Sequence, residues 1–261
     1  MKKKYSITAV SYLNTKPFLY GLLHHPIREQ LDLQLDIPSA CAAKLQAGTV
    51  DIGLVPVAII PSLKQPHIIS DYCIGTNGKV KTVGIYSQCP IEEIENLYLD
   101  FHSRTSAQLT RILIKEYWKL DINFLEAKEG FREKIVGKTA ALVIGDRTIG
   151  MEEKCAYQYD LGEAWRAHTG LPFIFAAWVS NQPLSAAFIK DFNDALAYGC
   201  TQIPNLALLL NAPHPKFDIQ KYYTEYINYD FDAPKKQALS LFLKKMGVPI
   251  QESIQKGLSL V

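Results

Sequence analysis

Polar and apolar residues alternate from Tyr5 to Val10, the period-two signature of a strand with one buried face. The next eight residues, SYLNTKPF (11–18), gather small hydrogen-bonding groups and include Pro17, which the first turn of a helix accepts without losing a hydrogen bond. Ser11, Tyr12, Asn14 and Thr15 place neutral donors and acceptors before that turn, and a helix N-terminus there would favour an anion. Capping of an ordinary strand-to-helix turn uses the same residue types.

Leu31 to Ile37 alternates again, and Pro38-Ser39 opens a short helix with Ser39 as N-cap and Gly48 as C-cap. Asp51 to Val55 reads as a buried strand, and Pro56 begins a further helical turn. Strand followed by helix three times predicts parallel βα units, with ligands beyond the C-terminal strand ends. A second series starts with the alternating stretch 80–87 and continues through Leu97 to Asp100, the helical run 103–119, Ile122 to Leu125 and Ala140 to Ile144. The apolar run Phe173 to Val179 is read as the return to the first lobe. Residues after Pro183 are helical in pattern, with Asp232 as the N-cap of a helix from Ala233.

The class is therefore α/β: a two-lobed clamshell with an interlobe cleft. Lobe 1 comprises residues 1–86 and 177–261, and lobe 2 is the inserted stretch 87–176. Tyr222, Tyr223 and Tyr226 have helical spacing and are assigned to packing.

The 261 residues carry 28 basic and 26 acidic groups, a net charge of +2, with no basic stripe. Nucleic acid and membrane are not expected partners, and a charged ligand must be held locally. Five cysteines with no CxxC spacing suit reduced thiols. Polar residues interrupt the stretch after Lys2, Lys3 and Lys4, so a mature start at Met1 and a cytoplasmic location are expected.

Motifs for acyl-enzyme, zinc-hydrolase and dinucleotide chemistry are missing, and Gly145 to Gly150 (GDRTIG) lacks the Lys and Ser/Thr that a P-loop needs. His24 and His25 are adjacent, so on a helix they point about 100° apart; they are read as helix-end histidines. In HSRTSAQL, Ser103, Thr105 and Ser106 follow a strand end, where free amides and the Arg104 guanidinium could grip a carboxylate. Asn14 and Ser39 face them from the other lobe. Asp146, after Gly145 at the end of an apolar strand, has three open roles: proton transfer, a hydrogen bond to a substrate hydroxyl, or helix capping. Arg147 beside it would lower its basicity by ion pairing.

With those residues in view, the chain resembles the chorismate dehydratase family of the futalosine route to menaquinone. The likeness runs through SYLNTKPF (11–18), IPSACAAKLQAGTVDIGLVP (37–56), IYS (85–87), SRTSAQLTRIL (103–113), IGD (144–146) and DLGEAWRAHTGLPFIFAAW (160–178). Phe18, where the family usually has Leu, and Arg147-Thr148, where it has small residues, depart from the pattern.

The resemblance implies the type II periplasmic-binding-protein fold, conversion of chorismate to 3-enolpyruvylbenzoate by loss of water, and no cofactor or metal. It also implies roles for the site residues. Asn14 and Ser87 would hydrogen-bond the departing hydroxyl, with Asp146 a candidate base beside the substrate's own enolpyruvyl carboxylate. Ser11, Tyr12, Ser39, Ser103, Arg104, Thr105, Ser106 and Gly145 would bind substrate. Two other activities fit the same fold: a non-catalytic intracellular small-anion binder, and the related 1,4-dihydroxy-6-naphthoate synthase. No oligomeric state is read from the sequence.

Overall fold

The computed structural model describes residues 4–249 and residue 254. Two mixed sheets carry the chain. The first has six strands in the order β11-β4-β10-β3-β1-β2: β1 (Tyr5–Val10), β2 (Leu31–Asp36), β3 (Ile52–Pro56), β4 (His67–Thr76), β10 (Phe173–Ser180) and β11 (Asn228–Asp230). The second has five in the order β7-β6-β8-β5-β9: β5 (Val83–Ser87), β6 (Asn96–Leu99), β7 (Asn123–Glu126), β8 (Thr139–Ile144) and β9 (Tyr157–Asp160). The helices are α1 (Lys16–His24), α2 (Pro38–Ala47), α3 (Thr105–Leu113), α4 (Leu161–Thr169), α5 (Ala186–Thr201), α6 (Ile203–Leu209), α7 (Ile219–Lys221) and α8 (Ala233–Lys245).

β1 runs parallel to both β2 and β3, as the repeated strand-then-helix pattern requires. Their C-terminal ends therefore share one edge, and the turns after them gather there. The apolar run from Phe173 does return the chain: β10 is buried throughout and sits between β3 and β4, antiparallel to both. In the second sheet β5 alone opposes its neighbours, pairing antiparallel with β8 and β9, while β6 is parallel to β7 and β8.

The limits set at 86 and 177 fall inside β5 and β10. The sheets put the crossings in the connections 77–82 and 170–172. β4 carries no strand reading in the sequence because Ser70 and Asp71 interrupt its alternation, and its pairing with β10 shifts register twice. The stretch 103–119 divides into α3 and a π-helical turn, Ile114–Trp118. Helical readings beyond residue 249 lie outside the described residues, apart from residue 254.

Burial explains how α1 is set behind the first turn. Phe18 is fully buried near Trp178, which packs edge-on against Phe192 of α5 with ring centroids 5.1 Å apart. Gly21 and Gly199 let α1 and α5 touch backbone to backbone: a Cβ on either would meet a carbonyl oxygen of the other helix at 2.0 Å. Gly48 ends α2 with φ of +69°, the left-handed C-cap conformation that glycine adopts at no steric cost.

Candidate functional site

A cavity of about 60 Å³ lies where the two sheets meet. The first lobe contributes the turn after β1, with Tyr12, Asn14 and Thr15, together with Pro38 after β2, Pro56 at the end of β3, and Phe175 and Ala176 of β10. The second contributes Ser103, Thr105 and Ser106 at the start of α3, and Ile144 and Gly145 after β8. None of the lining residues is charged. A ligand here meets hydroxyls, amides and apolar walls.

Asn14 is half-buried on a 3-10 turn, Leu13–Thr15, that leads into α1. The Thr15 hydroxyl donates to its Oδ1 at 3.2 Å, so the amide NH2 is the group left to donate into the cavity. Opposite it, Ser103 Oγ accepts the Ser106 backbone N–H at 2.9 Å, the side-chain cap that a helix start favours. Thr105 Oγ1 accepts the Ala58 N–H from the other lobe at 3.2 Å and keeps its own proton to donate. Among the described residues the Ser106 hydroxyl has no protein hydrogen-bond partner, although the residue is buried. Thr105 and Ser106 thus present donors beside the free amides of the first turn of α3.

Asp146 bonds across the lobes rather than to the helical turn that follows it. Both carboxylate oxygens accept the Leu13 N–H, each at 3.1 Å, so the anion expected at the turn after β1 is supplied by the protein itself, from the opposite lobe. Burial pushes its carboxyl above the usual aspartate value, while the Leu13 N–H and the charge of Lys16 pull it down. Arg147 does not pair with it. The guanidinium instead grips the buried Asp100 carboxylate at 2.5 and 2.6 Å, which also accepts the N–H groups of Ile144 and His102. Asp146 is absent from the cavity wall.

Tyr12 closes the cavity rim. Its hydroxyl lies 2.9 Å from His102 Nδ1 across the lobes, and burial raises it to about 12. Gly145 permits that contact: its φ is +62°, and a Cβ there would lie 2.6 Å from the Tyr12 ring.

Besides Asp146, four expected site residues do not reach the cavity. Ser87 ends β5, and because β5 opposes β8, Val83 pairs with Ile144 at the cavity while Ser87 lies at the far end of the strand. Four residues of strand separate the two by about 13 Å. There Ser87 is fully buried and accepts the Cys89 N–H at 3.1 Å. Ser39 is not the N-cap of α2: Ile37 holds that position with Pro38 next, and Pro38 is the residue that reaches the cavity. Arg104 is exposed and Ser11 is exposed, with the Ser11 N–H donating to the Asp36 carbonyl; neither lines the cavity.

Thr82 and Val83 do line it, and sequence reasoning missed them because they lie at the start of a strand rather than after its end. The signal would have been the direction of β5, which its composition does not carry. Among the described residues no three His, Cys, Asp or Glu side chains gather to hold a metal ion, and no helix is long and apolar enough to cross a membrane.

A family model described as menaquinone biosynthesis matches residues 5–247. The chain belongs to that family. A chorismate dehydratase of Thermus thermophilus is 23% identical over 266 residues, covering 90% of this chain and 97% of that protein. A crystal structure of an Archaeoglobus fulgidus protein superposes with a TM-score of 0.73 at 13% identity, covering 98% of both chains. A Candida albicans protein described as having the generic periplasmic binding protein fold gives a TM-score of 0.64 at 12% identity, over 98% of this chain and 94% of that one. These likenesses show the fold: the family member described here is a two-lobed α/β periplasmic-binding-protein clamshell, with the cavity in its cleft.

Proposed function

We propose that this menaquinone-biosynthesis family member is a chorismate dehydratase, a hydro-lyase that converts chorismate to 3-enolpyruvylbenzoate in the futalosine route, working in the cytoplasm without a cofactor. The observation that carries the reading is the uncharged lining of the interlobe cavity, apolar walls with the Asn14 amide on one side and the hydroxyls at the start of α3 on the other. The similarity to the Thermus thermophilus enzyme over nearly the whole chain supports it.

The reaction removes a ring proton and the neighbouring hydroxyl, and formation of the aromatic ring drives it. Neither a metal nor a covalent nucleophile is required by that chemistry. The Asn14 amide donates to the departing hydroxyl, and the Thr105 and Ser106 hydroxyls with the first amides of α3 hold a carboxylate. Two helix-start anion sites would suit a dicarboxylate, but Asp146 fills the one after β1. The second carboxylate, on the enolpyruvyl group, is then free to take the ring proton, which leaves Asp146 to hold the turn that carries Asn14. Tyr12 and Gly145 form the rim over the bound ring.

Incubation of purified protein with chorismate, followed by chromatography and mass analysis, tests the assignment. The expected product is aromatic and lighter than chorismate by one water. Chorismate that is bound but unchanged would make the protein a small-anion binder, and chorismate neither bound nor changed would leave the naphthoate-forming activity.

A further inference from the structure

Three phenol hydroxyls from one short stretch of the C-terminal tail converge on the turn that carries Asn14. Tyr223 donates to the Leu13 carbonyl and Tyr229 to the Asn14 carbonyl, both at 2.9 Å. Tyr222 is 2.9 Å from the hydroxyl of Thr82, a cavity residue, and has the Asn14 side chain beside it. The partners are 210 and 215 residues apart in sequence in the first two bonds, so nothing local to the turn supplies them.

The tail delivers these groups through a π-helical turn, Tyr222–Tyr226, a form that recurs at functional sites. It brings consecutive tyrosines to the same target, with ring centroids 5.7 Å apart. All three rings are buried. Packing alone would be served by phenylalanine, and a buried hydroxyl is costly unless it is bonded. The Asn14 side chain has two protein partners, the 3.2 Å bond from Thr15 and the Tyr222 hydroxyl beside it. The carbonyls on either side of its Cα, those of Leu13 and of Asn14, are the ones the tail fixes.

We infer that Tyr222, Tyr223 and Tyr229 are positioning residues that set the direction in which the Asn14 amide enters the cavity. The inference rests on the role given to Asn14 under the proposed function. Tyr223 and Tyr229 act through the carbonyls of the turn and Tyr222 on the Asn14 side chain from beside Thr82, and none lies in the cavity wall.

Tyr229→Phe and Tyr223→Phe keep the rings and remove one donor each. For chorismate dehydration we expect kcat to fall about tenfold with KM within about threefold, since ångström-scale displacement of a positioned group costs up to about a hundredfold. In an Asn14→Ala background the same changes should cost nothing further in residual turnover, because the group they orient is gone. A general loss of fold would lower both backgrounds alike. Wild-type kcat in both Phe variants, while the wild type turns over chorismate, overturns the inference.

A wild type that leaves chorismate untouched would instead sink the proposed function. The inference is then read from the Asn14 side-chain amide resonance, identified by its loss in Asn14→Ala. It should shift or broaden in the Phe variants, and an unchanged resonance overturns the inference independently of activity. Should Tyr229→Phe fail to fold, Tyr223→Phe carries the same test.

Discussion

The turn after β1 and the turn after β5 look alike in sequence: each follows an apolar alternating strand, and each offers a serine within the next residue or at its end. They finish in opposite places. β1 is parallel to its neighbours, so its C-terminal end delivers Tyr12, Asn14 and Thr15 to the cleft. β5 is antiparallel to both of its neighbours, so its N-terminal end, Thr82 and Val83, arrives there and Ser87 is carried away. Strand direction, a property of the whole sheet, decides which end of a local pattern can meet a ligand.

The largest effect that would test this contrast is at Asn14. Asn14→Ala should lower turnover of chorismate by roughly a hundredfold or more, the cost of about 2.7 to 4 kcal/mol that attends loss of an oriented donor to transition-state charge. Steady-state kinetics measure it, and a near-wild-type rate would remove the β1 turn from the chemistry. Next in size is Gly145→Ala. A methyl group there meets the Tyr12 ring at 2.6 Å and sits on a backbone with φ of +62°, a combination expected to cost about 1–3 kcal/mol of stability. Denaturant unfolding should register that loss, and displacement of Tyr12 should raise KM in the same variant.

Much of this arrangement is legible before any coordinates. The α/β class, the parallel units, the return through Phe173 to Val179 and the caps at Gly48 and Asp232 follow from periodicity and short-range stereochemistry. At the site, Asn14, Thr105 and Ser106 are legible because polar residues cluster just after strands. Ser87, Ser39 and Asp146 lie away from the cavity wall for three different physical reasons. The direction of β5 is set by pairing with residues 141–144 and 157–160. The N-cap of α2 falls two positions earlier, at Ile37, because Pro38 takes the first helical position. The carboxylate of Asp146 answers an amide 133 residues away, Leu13 N–H. The tyrosines of the tail are legible as packing, but their hydroxyl partners are equally distant and leave no local trace.

A smaller effect is expected at Asp146, which bonds the β1 turn without facing the cavity. Asn still offers Leu13 a carbonyl oxygen, so Asp146→Asn should keep turnover within about threefold, the scale of one modest hydrogen bond. A collapse in turnover would restore Asp146 as the base. Its pH signature has a definite sign. Burial raises the folded-state value above the ordinary 3.8, so the native protein holds the proton more tightly than the unfolded chain. Stability from this group is therefore complete below the ordinary value and declines as pH rises through the folded value. Asp160, raised by burial in the same direction, remains in both proteins. Asp36 and Glu116, both held low by lysine partners, push the other way in both proteins, so the readout is the difference: the unfolding midpoint of Asp146→Asn should gain on that of wild type as pH rises above the ordinary aspartate value, and a difference that does not change with pH would show that the buried carboxylate is not the cause.

The smallest effect is at Ser87, and it bears most directly on the contrast between the two turns. Ser87→Ala removes the acceptor for the buried Cys89 N–H, so about 1 kcal/mol of stability should go with it. Turnover should stay within about twofold, because the side chain lies four strand residues, about 13 Å, from the end of β5 that reaches the cleft. A fall in kcat comparable to that of Asn14→Ala, with the protein folded, would mean that catalysis uses an arrangement of the second sheet in which both ends of β5 approach the ligand. No rotation of a rigid antiparallel strand brings that about, since four residues of extended backbone exceed the width of a single aromatic ring. Only a register change between β5 and β8 would, and that would also bury or expose the opposite face of β5 along its whole length. Equal activity in Ser87→Ala and wild type therefore supports the register observed, in which Val83 pairs with Ile144 and Tyr86 with Ala141.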